Sequence, residues 1–334
     1  MEKILVLRIF KTFIGILGIL DNGLVCVVIS KVKVMQTRTN AFIFHQAVVD
    51  FLGSAMILLQ TEVPMPDPLP ENALGRFLCR FWLSNFTLFF LFVVSTFNLL
   101  AVTMERYFAI VHPFRYQTTF LKYPRVKVGA VIVSCWLLGA AMKPYLMTIF
   151  QIQDGRCQSL PGSKAVGILT AFMEYILPVG VMLFAHIRIS VELKRGAARV
   201  GPAPPGAAAG TSAEPSPEAG MMGSLLKARR NTFKTLLTVF VTFLVCWTPN
   251  QVIFLTYNLG LYPLQFNEWF YLLSVAMVAA NCCVNPFIYS FKYRQFRSGL
   301  MEIFSRKSNP NTHLLARSRS LRLPSTQPTT LSVL

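Results

Sequence analysis

Long apolar stretches separated by short polar ones run the length of the chain. About 20 residues of apolar helix cross a hydrocarbon core, and seven stretches reach that length: about 4 to 31, 40 to 63, 78 to 104, 126 to 149, 165 to 187, 233 to 258 and 268 to 290. Lipid offers no partner to an exposed backbone N–H or C=O, so runs this uniformly apolar predict helices, which satisfy those groups internally. A membrane barrel would instead alternate polar and apolar residues over strands of about ten residues, and these runs do not alternate. The pattern predicts an all-α membrane protein, a seven-transmembrane helix bundle filling residues 1–305. After it, "FKYRQFRSGLMEIF" spaces Phe291, Phe296, Leu300 and Phe304 near the helical period among basic residues, which predicts a short amphipathic cytoplasmic helix.

Between the fifth and sixth runs, "GAARVGPAPPGAAAGTSAEPSPEAG" is rich in Gly, Ala and Pro and predicts a disordered third cytoplasmic loop over 196–226. Residues 306–334 are polar, basic and rich in Ser and Thr, and read as a disordered cytoplasmic tail. The N-terminus is basic and then apolar, like a signal peptide. Its apolar part is too long for a removable segment and lacks a small-residue cleavage pattern, so it reads as a retained first span.

Charge settles the expected orientation. With the N-terminus outside, the inner segments 31–40, 106–127, 188–234 and 292–322 hold 3, 5, 8 and 8 basic residues, 24 of the chain's 32. That positive-inside bias predicts an outer N-terminus and a cytoplasmic C-terminus in a multi-pass membrane protein. Lys3, Arg8 and Lys11 beside the first run are the contrary signal.

Composition agrees: 54% of residues are hydrophobic and 14% charged, against about 25% charged in soluble domains. The net charge of +18 lies between apolar blocks rather than on a basic face with stacking aromatics, so nucleic acid is not an expected partner. The lipid bilayer is. Seven cysteines show no CxxC pair or zinc-like spacing with histidine, and only Cys79 and Cys157 lie in segments placed outside the membrane.

Ionisable groups within a span are costly and mark function by default. Asp50 stands mid-run in "FIFHQAVVDFLGSAMILL" with no basic neighbour, and Asn22, Ser95, Asn281 and Asn285 supply further oxygens from other spans. Together they form a candidate site for a small cation or a proton; alone, Asp50 also fits a neutral, hydrogen-bonded buried acid. Pro178, Pro249 and Pro286 each remove a backbone hydrogen bond from a late span and so mark potential hinges. Glu105-Arg106-Tyr107 closes the third apolar run, which places the charges at the cytoplasmic rim.

In this order, on seven separate runs, these residues resemble the rhodopsin-like (class A) G-protein-coupled receptors, from about residue 10 to 305. Asn22 matches the family's first-span Asn, Asp50 its second-span sodium-site acid, Glu105-Arg106-Tyr107 its D/E-R-Y motif and Trp136 its fourth-span Trp. Pro178 matches the fifth-span Pro, Phe243 with Cys246-Trp247-Thr248-Pro249 the toggle motif, and Asn285-Pro286-Phe287-Ile288-Tyr289 the NPxxY motif. The resemblance implies a receptor rather than an enzyme. It implies a disulfide between Cys79 and Cys157, a sodium ion held by Asp50, Ser95, Asn281 and Asn285, and no other cofactor. It also implies coupling to a heterotrimeric G protein through Arg106, through Pro113 and Phe114, and through an outward swing of the sixth helix.

Three positions depart from the family pattern. The Cys79 to Arg106 spacing is two residues longer than usual, so either the disulfide or the outer third helix must differ. His186 stands where the fifth span usually has a Tyr. Arg229 occupies the sixth-span position where some members carry an acid that locks Arg106, which leaves Glu105 as the nearest partner and predicts basal activity.

The third run has no Asp near Leu88, where amine receptors place their ammonium partner, so a monoamine ligand is not expected. The candidate pocket is Glu62, Trp82, Asn85, Leu88, Lys143, Glu174, Trp247, Asn250 and Tyr257. Glu174 reads equally as a ligand contact or as the partner of a basic residue such as Lys143. A small peptide and a small organic or lipid ligand both fit. Phosphorylated tail residues from Ser305 to Thr330 would recruit an arrestin-like protein, and Ser332-Val333-Leu334 resembles a PDZ-domain ligand. The alternative is a transporter with a midplane cation site, which internal repeats or paired broken helices would mark. No repeat is visible.

Overall fold

In a computed structural model describing residues 2–120, 122–160, 162–199, 217–261 and 268–308, seven helical spans are present. They run Leu5–Lys31, Arg38–Glu62, Ala73–Val111, Pro124–Ile149, Lys164–Ala198, Lys227–Asn258 and Trp269–Lys292. The first span packs on the second and seventh, the second on the third, the third on the fourth and fifth, and the sixth on the seventh. Close approach of the first and second is set at Gly18, where a Cβ would run into Ser54 Oγ. The second span starts where Thr37 Oγ1 accepts from the Asn40 N–H at 3.3 Å, meeting one of the donors a helix start leaves free. Apolar side chains such as Val133 and Leu137 of the fourth span are exposed, as lipid-facing positions are expected to be.

The third span is broken near the disulfide. Helix Ala73–Phe77 passes into a π-helical turn over Leu78–Leu83, Asn85 adopts a left-handed φ of 56°, and the regular helix resumes over Phe86–Val111. Ser84 bridges the break by donating to Arg80 O at 2.5 Å and accepting from Phe86 N at 3.1 Å. A π turn spends extra residues without added rise, which is where the long Cys79 to Arg106 spacing is absorbed. The Cys79–Cys157 disulfide forms, with Cα atoms 5.3 Å apart. The fifth span has a matching device: a π turn over Phe172–Ile176 precedes Pro178, whose missing N–H would otherwise orphan a carbonyl one turn back.

Between the fourth and fifth spans lies a hairpin that the apolar runs did not predict. Strands β1 (Phe150–Gln153) and β2 (Arg156–Ser159) pair antiparallel, with Ile152 opposite Cys157. The turn residues Asp154 and Gly155 have φ of 51° and 69°, the backbone that an Asp-Gly two-residue turn supplies. Leu69 N donates to Gly155 O at 2.7 Å, and Arg80 Nε to Phe150 O at 3.4 Å, fastening the hairpin over the disulfide end.

At the other end the helices run further than expected. The fifth continues to Arg199 and the sixth begins at Pro217, so both enter the segment 196–226 read as a disordered loop. Ala, Met, Leu, Lys and Arg after Pro217 favour helix. The sixth helix therefore has 42 residues, about twice what a hydrocarbon core needs. Residues 200–216 lie outside the described residues. Phe291 belongs to the end of the seventh helix, and the short helix that follows is Arg294–Ser308, with Phe296 buried beneath it. Its last turn passes the expected domain boundary at 305; positions 309–334, with most of the tail phosphosites and the C-terminal motif, lie outside the described residues.

Candidate functional site

At the end of the bundle opposite the disulfide, the third helix carries Glu105-Arg106-Tyr107. Glu105 is 6% exposed and gathers four donors from three elements. Arg106 Nη2 donates to Oε1 at 2.6 Å and Arg106 Nε to Oε2, while Tyr116 Oη donates to Oε1 at 2.6 Å and Thr39 Oγ1 to Oε2 at 3.2 Å. Tyr116 stands on the short helix Pro113–Phe120. Burial, then its bond to the Glu105 carboxylate, raises the Tyr116 phenol above its ordinary pKa and keeps it a donor. Among the described residues Arg106 has one ion-pair partner, Glu105. Arg229 is exposed on the sixth helix. Phe114, next to Pro113, is 77% exposed. Tyr107 is buried and its hydroxyl lies 3.3 Å from His112 Nε2.

Deeper in the bundle, Asp50 receives Asn285 Nδ2 on Oδ2 at 2.9 Å and Ser95 Oγ on Oδ1 at 3.4 Å. Two expected members lie elsewhere. Asn281 is buried but outside this set, and Asn22 Nδ2 instead ties the first helix to the seventh by donating to Cys282 O at 2.7 Å. The place of those two is taken by Gln46, one turn before Asp50, whose Nε2 donates to both carboxylate oxygens at 3.1 and 3.2 Å and to Ser95 Oγ at 2.5 Å. Gln46 Oε1 accepts from Asn98 Nδ2 at 2.8 Å, Asn98 Oδ1 lies 2.9 Å from His45 Nδ1, and His45 Nε2 accepts from Trp136 Nε1 at 2.9 Å. A buried polar chain thus links Trp136 on the fourth span to Asn285 on the seventh.

Asn98 is its midpoint, and Asn98→Leu would strip a partner from His45, Gln46 and the Phe42 carbonyl at once. At about 0.6 kcal/mol for each interhelical bond in a membrane protein, the expected loss is roughly 2 kcal/mol, or about 4 °C in melting temperature at this size. Thermal unfolding of the purified variant, followed by intrinsic fluorescence, measures it.

Above Asp50, the residues expected to form the toggle are in mutual contact. Phe243 and Trp247 are buried with ring centroids 5.8 Å apart, and Phe92 of the third helix meets Trp247 edge-on at 5.2 Å. Among the described residues the buried Trp247 Nε1 has no hydrogen-bond partner. Tyr175 on the fifth-span π turn lies 2.5 Å from Thr248 Oγ1 and joins the fifth and sixth helices. His186 sits against Phe233 and Phe240, and among the described residues neither ring nitrogen finds a partner.

The expected pocket residues divide. Lys143 Nζ and Glu174 Oε2 form a 2.6 Å ion pair between the fourth and fifth spans, both side chains about nine-tenths covered, with the ammonium 5.7 Å from the Phe89 ring centre. Phe89 touches Phe92, so the pair is two aromatic rings from Trp247. Leu88 packs on the core holding Trp247, and Asn250 donates to Ser274 Oγ at 3.2 Å. Glu62 is engaged elsewhere, by Arg8 at 2.8 Å and by Thr12, at the disulfide end of the first two spans. Trp82 is half-buried on the π turn, Asn85 is exposed in the break, and Tyr257 is exposed. An open cavity of about 300 Å³, lined by Pro66, Asp67, Leu83, Phe150 and Arg156, lies beneath the hairpin and outside the expected set.

Residues 21–289 match the sequence profile described as 7 transmembrane receptor (rhodopsin family). Galanin receptor 2a of Danio rerio is 27% identical over 312 residues, 91% of this chain and 78% of that protein. Galanin receptor type 1 of Homo sapiens is 27% identical over 329 residues, 94% of this chain and 86% of the other. RYamide receptor of Drosophila melanogaster is 26% identical over 317 residues, covering 88% and 62%.

Proposed function

The chain belongs to the seven-transmembrane receptors of the rhodopsin family, and from that premise we propose that it senses an extracellular peptide and activates a heterotrimeric G protein. It is a multi-pass membrane protein; in this reading it lies in the plasma membrane with the N-terminus and the Cys79–Cys157 end outside, as the positive-inside bias and the oxidising exterior that a disulfide prefers both support. The peptide class is supported by the relatives, named for galanin and for RYamide, and by the absence of an acid near Leu88.

The observation that carries the proposal is how Arg106 is held. Its partner is the neighbouring residue on its own helix, so release needs only the local rearrangement that a G protein docking on Phe114 would offer. A peptide reaching Lys143, Glu174 and Asn250 would act on Phe92, Trp247 and Phe243 beneath them, and through Pro249 on the sixth helix. It drives the change only by binding the outward arrangement more tightly than the resting one. Tyr289 and Asn285 of the seventh helix, and Pro178 of the fifth, would repack with it. The arrestin-like and PDZ partners rest on tail residues outside the described part of the chain.

The test is nucleotide exchange by a panel of purified G proteins with the receptor, with and without a library of synthetic neuropeptides. The expected result is acceleration by at least one peptide on at least one G protein. No exchange with any G protein, together with solute flux in receptor-containing vesicles, would overturn the reading in favour of a transporter.

A further inference from the structure

The resemblance assigns a sodium ion to the Asp50 site, and the residues there do not fit one. A hard cation needs oxygen lone pairs turned toward it, yet both Asp50 oxygens face the Gln46 amide nitrogen at 3.1 and 3.2 Å, and Asn285 presents its N–H rather than its carbonyl. The orientation of the Gln46 amide is dictated from outside the site. Trp136 Nε1 can only donate, so His45 Nε2 must accept and His45 Nδ1 carries the proton toward Asn98 Oδ1. The Phe42 carbonyl can only accept, at 3.1 Å from Asn98 Nδ2, which fixes the same orientation for Asn98. Asn98 Nδ2 also meets Gln46 Oε1, so Gln46 turns its N–H groups to Asp50 and Ser95.

The donor count closes as well. A primary amide has two N–H groups; one is shared by the carboxylate oxygens and one goes to Ser95 Oγ, whose own hydroxyl hydrogen continues to Asp50 Oδ1. Gln46 is 1% exposed and Asp50 2%, so no water competes at the surface. A cation entering here would expel the amide and cost Asn98 Nδ2 and Ser95 Oγ their bonds to it.

We infer that the Gln46 side-chain amide occupies the position of the family's sodium ion, so that this receptor's resting state is set by an internal polar chain and not by extracellular sodium. The inference concerns the bundle alone. It needs neither a ligand nor a G protein, so its failure and that of the proposed function are separate results.

The experiment compares melting temperatures of the purified full-length receptor in sodium chloride and potassium chloride at equal ionic strength, for wild type and for Gln46→Ala. Wild type is expected to melt at the same temperature, within about 1 °C, in both salts at about 0.15 M. Gln46→Ala opens the site to the ion, and sodium is expected to stabilise it over potassium by about 5 °C, an advantage that Gln46→Ala/Asp50→Asn loses. Reading the difference between salts within each protein removes any general loss of stability in the variant. A sodium-specific rise in wild type that Asp50→Asn abolishes would overturn the inference. So would a folded Gln46→Ala that responds equally to both salts; if that variant does not fold, the wild-type comparison decides alone.

Discussion

Lys143→Met is expected to cost the receptor about 3–5 kcal/mol, because it removes one member of a covered ion pair and leaves the other uncompensated. Among the described residues Glu174 then loses its one polar contact, at 2.6 Å, and its other oxygen, Oε1, already lies buried without a partner there. At this size the loss corresponds to roughly 6–10 °C in melting temperature. The pair repays the desolvation of two charges only while both are present, so Lys143→Met/Glu174→Met should regain most of the stability, to within about 1 kcal/mol of wild type. Thermal unfolding of the two single variants and the double variant forms the cycle. A double variant no more stable than Lys143→Met would show that the cost lies in packing around the Lys143 stem and Phe89. Unchanged melting with lost peptide response would make the pair a ligand contact, the other role the sequence left open for Glu174.

The seven spans were legible because lipid imposes one rule on every one of them: backbone groups must be satisfied within the segment, so length and uniform apolarity suffice. Where backbone conformation departs from that rule, the apolar pattern is silent. The π turns at Leu78–Leu83 and Phe172–Ile176 keep the same composition as regular helix; only the Cys79 to Arg106 count and Pro178 pointed to them. The hairpin had a local signal in Asp154-Gly155, hidden because its strands are four residues each.

The site was half legible for a related reason. Asp50 was visible because a carboxylate in lipid is conspicuous by charge alone, whereas Gln46, His45 and Asn98 are neutral and became members only through the register of two helices. Gln46 lies one turn from Asp50 on the same face, a spacing present in the sequence. Its bond to Asn98, 52 positions away, is not. Asn22 illustrates the converse case, in which a residue of the right chemistry on the right span bonds another partner, the Cys282 carbonyl.

Glu105→Gln is expected to raise basal signalling about tenfold over wild type, which itself should stand above mock-transfected cells. The carboxylate holds Arg106 by two charge-assisted bonds and is itself held by Tyr116 and Thr39, so neutralising it weakens every contact that keeps the arginine turned back on its own helix. A bias of about 1.4 kcal/mol against the resting arrangement already shifts the populations tenfold. Tyr116→Phe removes one neutral donor and leaves the ion pair, so its effect should be smaller, about twofold. Arg229 supplies the opposite lever. The sixth helix presents a cation where a lock would need an acid, and Arg229→Glu should give Arg106 a partner across the helices and draw basal signalling down toward the mock level. Second-messenger accumulation without ligand, normalised to surface receptor, reads all three variants. If Glu105→Gln signals at the wild-type level while Arg229→Glu is silent, restraint on Arg106 depends on the approach of the sixth helix and not on Glu105.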